Sequence, residues 1–186
     1  MNSSQQSNIP VVLITGFGPF ASIFNNPSWE VAKALKTSIH WTYPLHIISE
    51  EIQLVIHIGV AQRAKEIRIE RCVCNTDYCR KDINGTLPET GKCILDDAPQ
   101  ILTTSLPLDD ICARVQRQTN LPIVISDNAG RYLCEYIYYQ SLFIDSKRTI
   151  FIHIPGLDEK FTIENVAKAI QLIIYEALPY VDSLPK

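Results

Sequence analysis

Five short apolar runs rich in β-branched residues constrain this chain more than any other feature: Val11–Thr15, Leu45–Ile48, Leu54–Gly59, Ile123–Ser126 and Thr149–Ile154. They show little polar–apolar alternation, the mark of strands covered by helices on both faces. Helical patterns fall between them. Asn26-Pro27 predicts an N-cap followed by proline at the first helical position, with Glu30 in the first turn and Val31, Ala34 and Leu35 on the buried face. Leu108, Ile111, Cys112 and Val115 repeat that spacing. Thr162 predicts another cap, with Phe161 stapled onto Val166 and an apolar stripe of Val166, Ile170, Ile173 and Ile174. Strands alternating with helices predict an α/β fold, a three-layer α/β/α sandwich.

Two segments are irregular. Ile67–Asn75 partly alternates, with Ile67, Ile69 and Val73 on one side and Arg68 and Glu70 on the other, and predicts a single strand with one polar face. Residues 76–107 carry Gly85, Pro88, Gly91, Pro99 and Pro107 without a sustained period, and read as a long loop of the lid or binding kind. A chain of 186 residues is enough for one domain, expected over 9–186 behind a frayed polar tail at 1–8, MNSSQQSN. The net charge of −3 gives no attraction for nucleic acid or an acidic membrane surface. No apolar run reaches the roughly 18 residues that span a bilayer, and no signal-peptide pattern opens the chain, so a cytoplasmic protein is expected. In that setting the six cysteines are thiols, not disulfides. Cys72, Cys74 and Cys79 form C-x-C-x4-C, which is not a usual zinc spacing and has no histidine nearby; a zinc module is the minor alternative.

The stretch Ile123–Cys134 holds the most chemistry. A strand runs into the turn Ser126-Asp127-Asn128-Ala129-Gly130-Arg131 and then into a helical pattern over Tyr132–Leu142, which places Cys134 in the first turn of a helix at the C-terminal edge of the sheet. A helix start favours a thiolate, and its backbone N–H groups suit a tetrahedral oxyanion. The other reading is a small apolar residue packing a helix, and this stretch alone does not separate the two. A cysteine nucleophile needs a base. His153, near the end of its strand before Pro155-Gly156, falls at the same edge; His57, in Leu54–Gly59, is its competitor. A lone strand histidine is also often structural. Glu70 is the candidate carboxylate to orient the imidazole, its alternative being a surface partner of Arg68 or Arg71. Gly16-Phe17-Gly18-Pro19-Phe20 does not continue a dinucleotide fingerprint, and its two aromatics suit a flat apolar ligand or the loop's own core.

In order along the chain, four segments resemble the pyroglutamyl peptidase I family (cysteine peptidase family C15). They are Val12–Phe20 with Asn26-Pro27-Ser28-Trp29; His57-Ile58-Gly59-Val60-Ala61 with Ile69-Glu70-Arg71 and Asn75; Ser126–Cys134 with Tyr138-Tyr139; and Phe151-Ile152-His153-Ile154-Pro155. The resemblance implies a catalytic triad of Cys134, His153 and Glu70. It also implies a pocket for the lactam ring lined by Phe17, Phe20 and Tyr132, with Asn26 and Arg80 as further substrate-binding residues. It implies a phosphorylase/hydrolase-like α/β/α sandwich, peptides with an N-terminal pyroglutamate as partners, and no metal or organic cofactor.

One departure stands out. In the family a strand, a long loop and a crossover helix precede the His-Ile-Gly-Val strand, whereas here only Ser49-Glu50-Glu51-Ile52-Gln53 separates Leu45–Ile48 from Leu54. A parallel crossover takes about a dozen residues, so one crossover helix is expected to be missing. Two functional classes follow: an omega peptidase that removes pyroglutamate, or a catalytically inactive member, shortened between Trp29 and His57, that keeps the pocket as a binding protein.

Overall fold

Buried apolar runs seek neighbours on both faces, and here they pair into one mixed sheet. In chain order the elements of this computed structural model are β1 (Val11–Gly16), α1 (Pro27–Ala34), β2 (Ile52–Val60), β3 (Ile67–Glu70), β4 (Cys72–Cys74), β5 (Ile101–Thr103), α2 (Leu108–Gln116), β6 (Ile123–Ser126), α3 (Leu133–Asp145), β7 (Thr149–Ile154) and α4 (Ile163–Asp182). The structure describes residues 10–19, 24–35, 52–94 and 97–182. The expected tail at 1–8, the strand at Leu45–Ile48, the shortened connection before Ile52 and Phe20 lie outside the described residues.

The five-stranded sheet has the order β1-β2-β7-β3-β6. β1, β2 and β7 run parallel, while β3 meets β7 antiparallel and carries β6 parallel to itself. The pleat divides the side chains between two cores. Ile56 and Ile58 of β2, Ile150, Ile152 and Ile154 of β7, and Ile67 and Ile69 of β3 face a large cluster shared with Val31 of α1, Ile111 of α2 and Val166 and Ile170 of α4. Phe151 of β7 faces a smaller cluster built with Tyr138, Tyr139 and Leu142 of α3. Each fully buried Ile or Phe contributes about 1.5–3 kcal/mol relative to exposure, so these faces fix which side of each strand is which. Helices on both faces make the three-layer α/β/α sandwich.

Local chemistry sets the helix starts. Asn26 caps α1, its Oδ1 accepting the Ser28 amide at 3.1 Å, with Pro27 inside the first turn. The end of β1 packs so close to this start that a Cβ on Gly16 would stand 2.7 Å from the Ser28 carbonyl oxygen. Thr162 Oγ1 accepts the Asn165 amide at 3.1 Å, and the stapled Phe161 and Val166 are both buried.

Two expectations are corrected. Ile67–Asn75 is two strands, not one: the Arg71 amide donates to Ser126 of β6, its carbonyl accepts from Thr104, and the chain leaves the sheet there. β4 then pairs antiparallel with β5, which lies inside the segment read as an aperiodic loop. The second correction concerns strand direction. Because β6 is parallel to β3 and β3 antiparallel to β7, the C-terminal ends of β6 and β7 point to opposite edges. His153 and the end of β6 therefore do not share an edge, and residues 127–132 carry the chain back before α3 begins.

Candidate active site

The odd-numbered residues of β2 and β7 and the even-numbered residues of β3 share the face covered by α3. That face collects Gly59, His153 and Glu70. Arg68 stands directly opposite His153 in the β3–β7 pair, so Glu70 is its diagonal neighbour. The side chains close the remaining gap: His153 Nδ1 donates to Glu70 Oε1 at 2.7 Å, both groups being buried. Engagement of Nδ1 with a carboxylate fixes the imidazole's orientation and leaves Nε2 to act as base. Glu70 is anchored in turn, since its backbone carbonyl accepts from the Tyr138 hydroxyl at 2.9 Å.

Cys134 is the second residue of α3. Its Sγ lies 3.0 Å from where a Cβ on Gly59 would be, and Gly59 pairs with His153 across β2 and β7. A side chain at residue 59 would also press within 2.8 Å of the Phe151 ring. Glycine thus opens the space in which the sulfur sits beside the imidazole strand. Burial, followed by the Glu70 charge, pushes the thiol up to about 12, with Arg80 and the Cys134 amide pulling the other way. The helix start does not outweigh burial in the unliganded protein, contrary to a lowered thiol pKa. Burial therefore favours the neutral thiol over the thiolate in the unliganded protein.

His57, the competing base, faces the same side of β2. Its Nδ1 meets Thr15 Oγ1 at 2.7 Å and its Nε2 meets Ser141 Oγ at 2.8 Å, so both ring nitrogens are committed to joining β1, β2 and α3. Burial lowers it from 6.5 to about 4. The unfolded chain takes up a proton between those values that the folded chain refuses. Stability held above about pH 6.5 is therefore expected to decline as pH falls toward 4, with a limiting slope of about 1.4 kcal/mol per pH unit from this group. Urea melts of the parent and of His57→Gln across that window should show a flatter pH dependence in the variant; identical slopes would count against the assignment.

Beside the start of α3 lies a cavity of about 250 Å³ walled by Tyr78, Arg80, Leu87, Tyr132, Leu133 and Tyr136. The Arg80 guanidinium stands 4.2 Å over the Tyr132 ring and donates to the Gly130 carbonyl at 2.8 Å, while the Tyr132 hydroxyl donates to the Lys81 carbonyl at 2.8 Å. These contacts hold the 78–88 loop against the helix. The Phe17 ring lies 6.4 Å from that of Phe151. Asn26 spends its side chain on structure, donating to the Gly18 carbonyl and accepting from Ser28. Tyr78 and Tyr136 were not singled out by sequence: the first sits in an aperiodic loop and the second reads as an ordinary helix residue. Of the alternative zinc set, Cys74 accepts from Arg131 at 2.9 Å, Cys72 contacts the Asp127 carbonyl and Cys79 is exposed. Among the described residues no cluster of His, Cys, Asp or Glu is arranged to hold a metal, and no helix is long and apolar enough to cross a membrane.

A thiol at a helix start, facing the strand position next to a carboxylate-held imidazole on an α/β/α frame, is the layout of a thiol hydrolase. The Pyroglutamyl peptidase family profile matches residues 42–177. Pyroglutamyl-peptidase 1 of Homo sapiens is 30% identical over 187 residues, covering 90% of this chain and 89% of that protein. Pyrrolidone-carboxylate peptidase of Bacillus cytotoxicus is 30% identical over 90% of this chain and 92% of its own length. Among solved structures, the pyrrolidone carboxyl peptidase of Thermococcus litoralis superposes with a TM-score of 0.77 at 26% identity, covering 96% of this chain and all of that one. The chain belongs to the pyroglutamyl peptidase family.

Proposed function

We propose that this chain is a cytoplasmic omega peptidase that hydrolyses the amide bond after an N-terminal pyroglutamyl residue. Cys134 is the nucleophile, His153 the general base and acid, and Glu70 the residue that orients and stabilises the imidazolium. The observation that carries this reading is the 2.7 Å contact of His153 with Glu70, with Cys134 Sγ seated over Gly59 beside them. Because burial favours the protonated sulfur, attack and proton transfer to His153 occur together. The S–C bond forms at the pyroglutamyl carbonyl and the oxyanion turns toward the amides at the start of α3. Collapse expels the amine with the proton from His153, and water activated by the same imidazole releases pyroglutamate from the thioester.

Pyroglutamate has no free α-amine, so no carboxylate is needed to receive an ammonium group. Phe17 and Tyr132 supply flat apolar walls for the lactam, with Arg80 bracing Tyr132, and Asn26 holds the loop that presents Phe17; the family resemblance adds Phe20 to this set. A pocket that pairs the lactam C=O leaves that partner unsatisfied when proline is offered, which favours rejection of prolyl amides. The inactive-binder reading is disfavoured because all three catalytic groups are present and His153 is already oriented. The test is release of a chromogenic amine from its pyroglutamyl amide against the matching prolyl amide. Turnover of the first and not the second is expected; a folded protein that cleaves neither would overturn the proposal.

A further inference from the structure

The carboxylate next to the nucleophile is fully buried, although a helix-start glutamate ordinarily faces water. Glu135, the third residue of α3, is 0% exposed. Its Oε2 accepts the Arg131 amide at 2.6 Å, and its Oε1 accepts both the Cys74 amide of β4 at 2.8 Å and the Arg131 guanidinium. Arg131 extends the connection, donating from Nη2 to Cys74 Sγ at 2.9 Å. One carboxylate thereby ties the start of α3 to the turn before it and to a strand of the second sheet.

That turn is unusual. Gly130 has φ of 98° and Arg131, a non-glycine residue, has φ of 50°. A side chain in the left-handed region persists where its surroundings hold it, and here both the amide and the guanidinium of Arg131 are held by Glu135. Gly130 also offers the carbonyl that receives Arg80. The amides of Leu133 and Cys134 follow immediately; as first-turn groups they are not used in the helix's own i to i−4 ladder.

We propose that Glu135 is a positioning residue: by clamping the Gly130–Arg131 turn to β4, it sets the direction of the first amides of α3 and so how well they receive the oxyanion formed at Cys134. This rests on Cys134 being the nucleophile. Cys134 and Glu135 are consecutive, so their side chains diverge, the sulfur toward Gly59 and the carboxylate toward Cys74. The sulfur's own access to an electrophile does not run through the clamp.

Two reactions of Cys134 separate these roles. With p-nitrophenyl acetate the S–C bond forms through a tetrahedral oxyanion, p-nitrophenolate leaves, and the thiol proton passes to His153. With iodoacetamide the S–C bond forms as iodide leaves, with no oxyanion. Both rates are measured at Cys134 by peptide mass spectrometry in the parent and in Glu135→Gln, whose fold is checked by its thermal melt. The expected result is acylation about tenfold or more slower, with alkylation within about threefold of the parent. Parallel loss of both rates, or of neither, would overturn the proposal. If Glu135→Gln does not fold, Arg131→Asn carries the test, because asparagine tolerates the left-handed turn and keeps its amide while removing the guanidinium. Its acylation-to-alkylation ratio should drop in the same direction, and an unchanged ratio overturns the clamp. Because neither reagent is a pyroglutamyl amide, a parent inactive on that substrate but showing the contrast would refute the proposed function and leave this inference standing.

Discussion

Cys134→Ala is expected to lower release of amine from a pyroglutamyl amide by at least about 10⁴-fold, since removing the proposed nucleophile would leave only binding and oxyanion stabilisation. The side chain is half-buried and its sulfur fills the space that Gly59 leaves open. Trimming it to a methyl group removes one atom from the edge of the smaller core, so stability should change by about 1 kcal/mol or less. Loss of turnover without loss of fold is therefore the expected signature. Activity comparable to the parent in a cleanly folded variant would place the nucleophile elsewhere, and the remaining cysteines offer poor substitutes. Cys93 and Cys112 are buried, Cys72 and Cys74 lie on β4, and Cys79 is exposed in the loop that follows β4.

Glu70→Gln carries the second large effect. The substitution keeps the volume of a fully buried side chain but removes the charge proposed to stabilise the imidazolium, leaving only a neutral carbonyl oxygen to accept His153 Nδ1–H. A loss of about 10² to 10⁴ in kcat is expected, with KM changing far less, because the carboxylate acts through the base and does not touch the lactam pocket. Steady-state kinetics on the pyroglutamyl amide give both constants. A kcat within about threefold of the parent would remove Glu70 from the mechanism.

Much of this arrangement was legible from residue order alone. Apolar β-branched runs announced β1, β2, β6 and β7, although β1 and β6 are edge strands that stay partly exposed, and cap chemistry at Asn26 and Thr162 announced α1 and α4, because both signals are local. Strand direction was not legible. Nothing in Ile67–Glu70 says that it will lie between β7 and β6 or which way it will run, yet that choice decides whether His153 and the end of β6 share an edge. Arg71 hid the split between β3 and β4, since its break depends on hydrogen bonds to Ser126 and Thr104, distant in sequence. The state of the Cys134 thiol was misread for a related reason: the helix start is visible in sequence, but the desolvation that overrides it is a property of packing. Glu135 left one unused signal, a carboxylate three residues after the N-cap Tyr132, the spacing at which such a group reaches back to backbone amides.

The diagonal placement of Glu70 and His153 has a consequence for how freely this chain varies in length. Diagonal residues on adjacent strands sit roughly 7–8 Å apart at their backbones, a spacing dictated by the hydrogen-bonded ladder and independent of the loops that deliver the strands. The backbone separation that the carboxylate and imidazole side chains bridge is therefore a repeat length of the sheet itself. Connections ahead of Ile52 can lose or gain residues without altering that ruler, provided β3 and β7 remain in register.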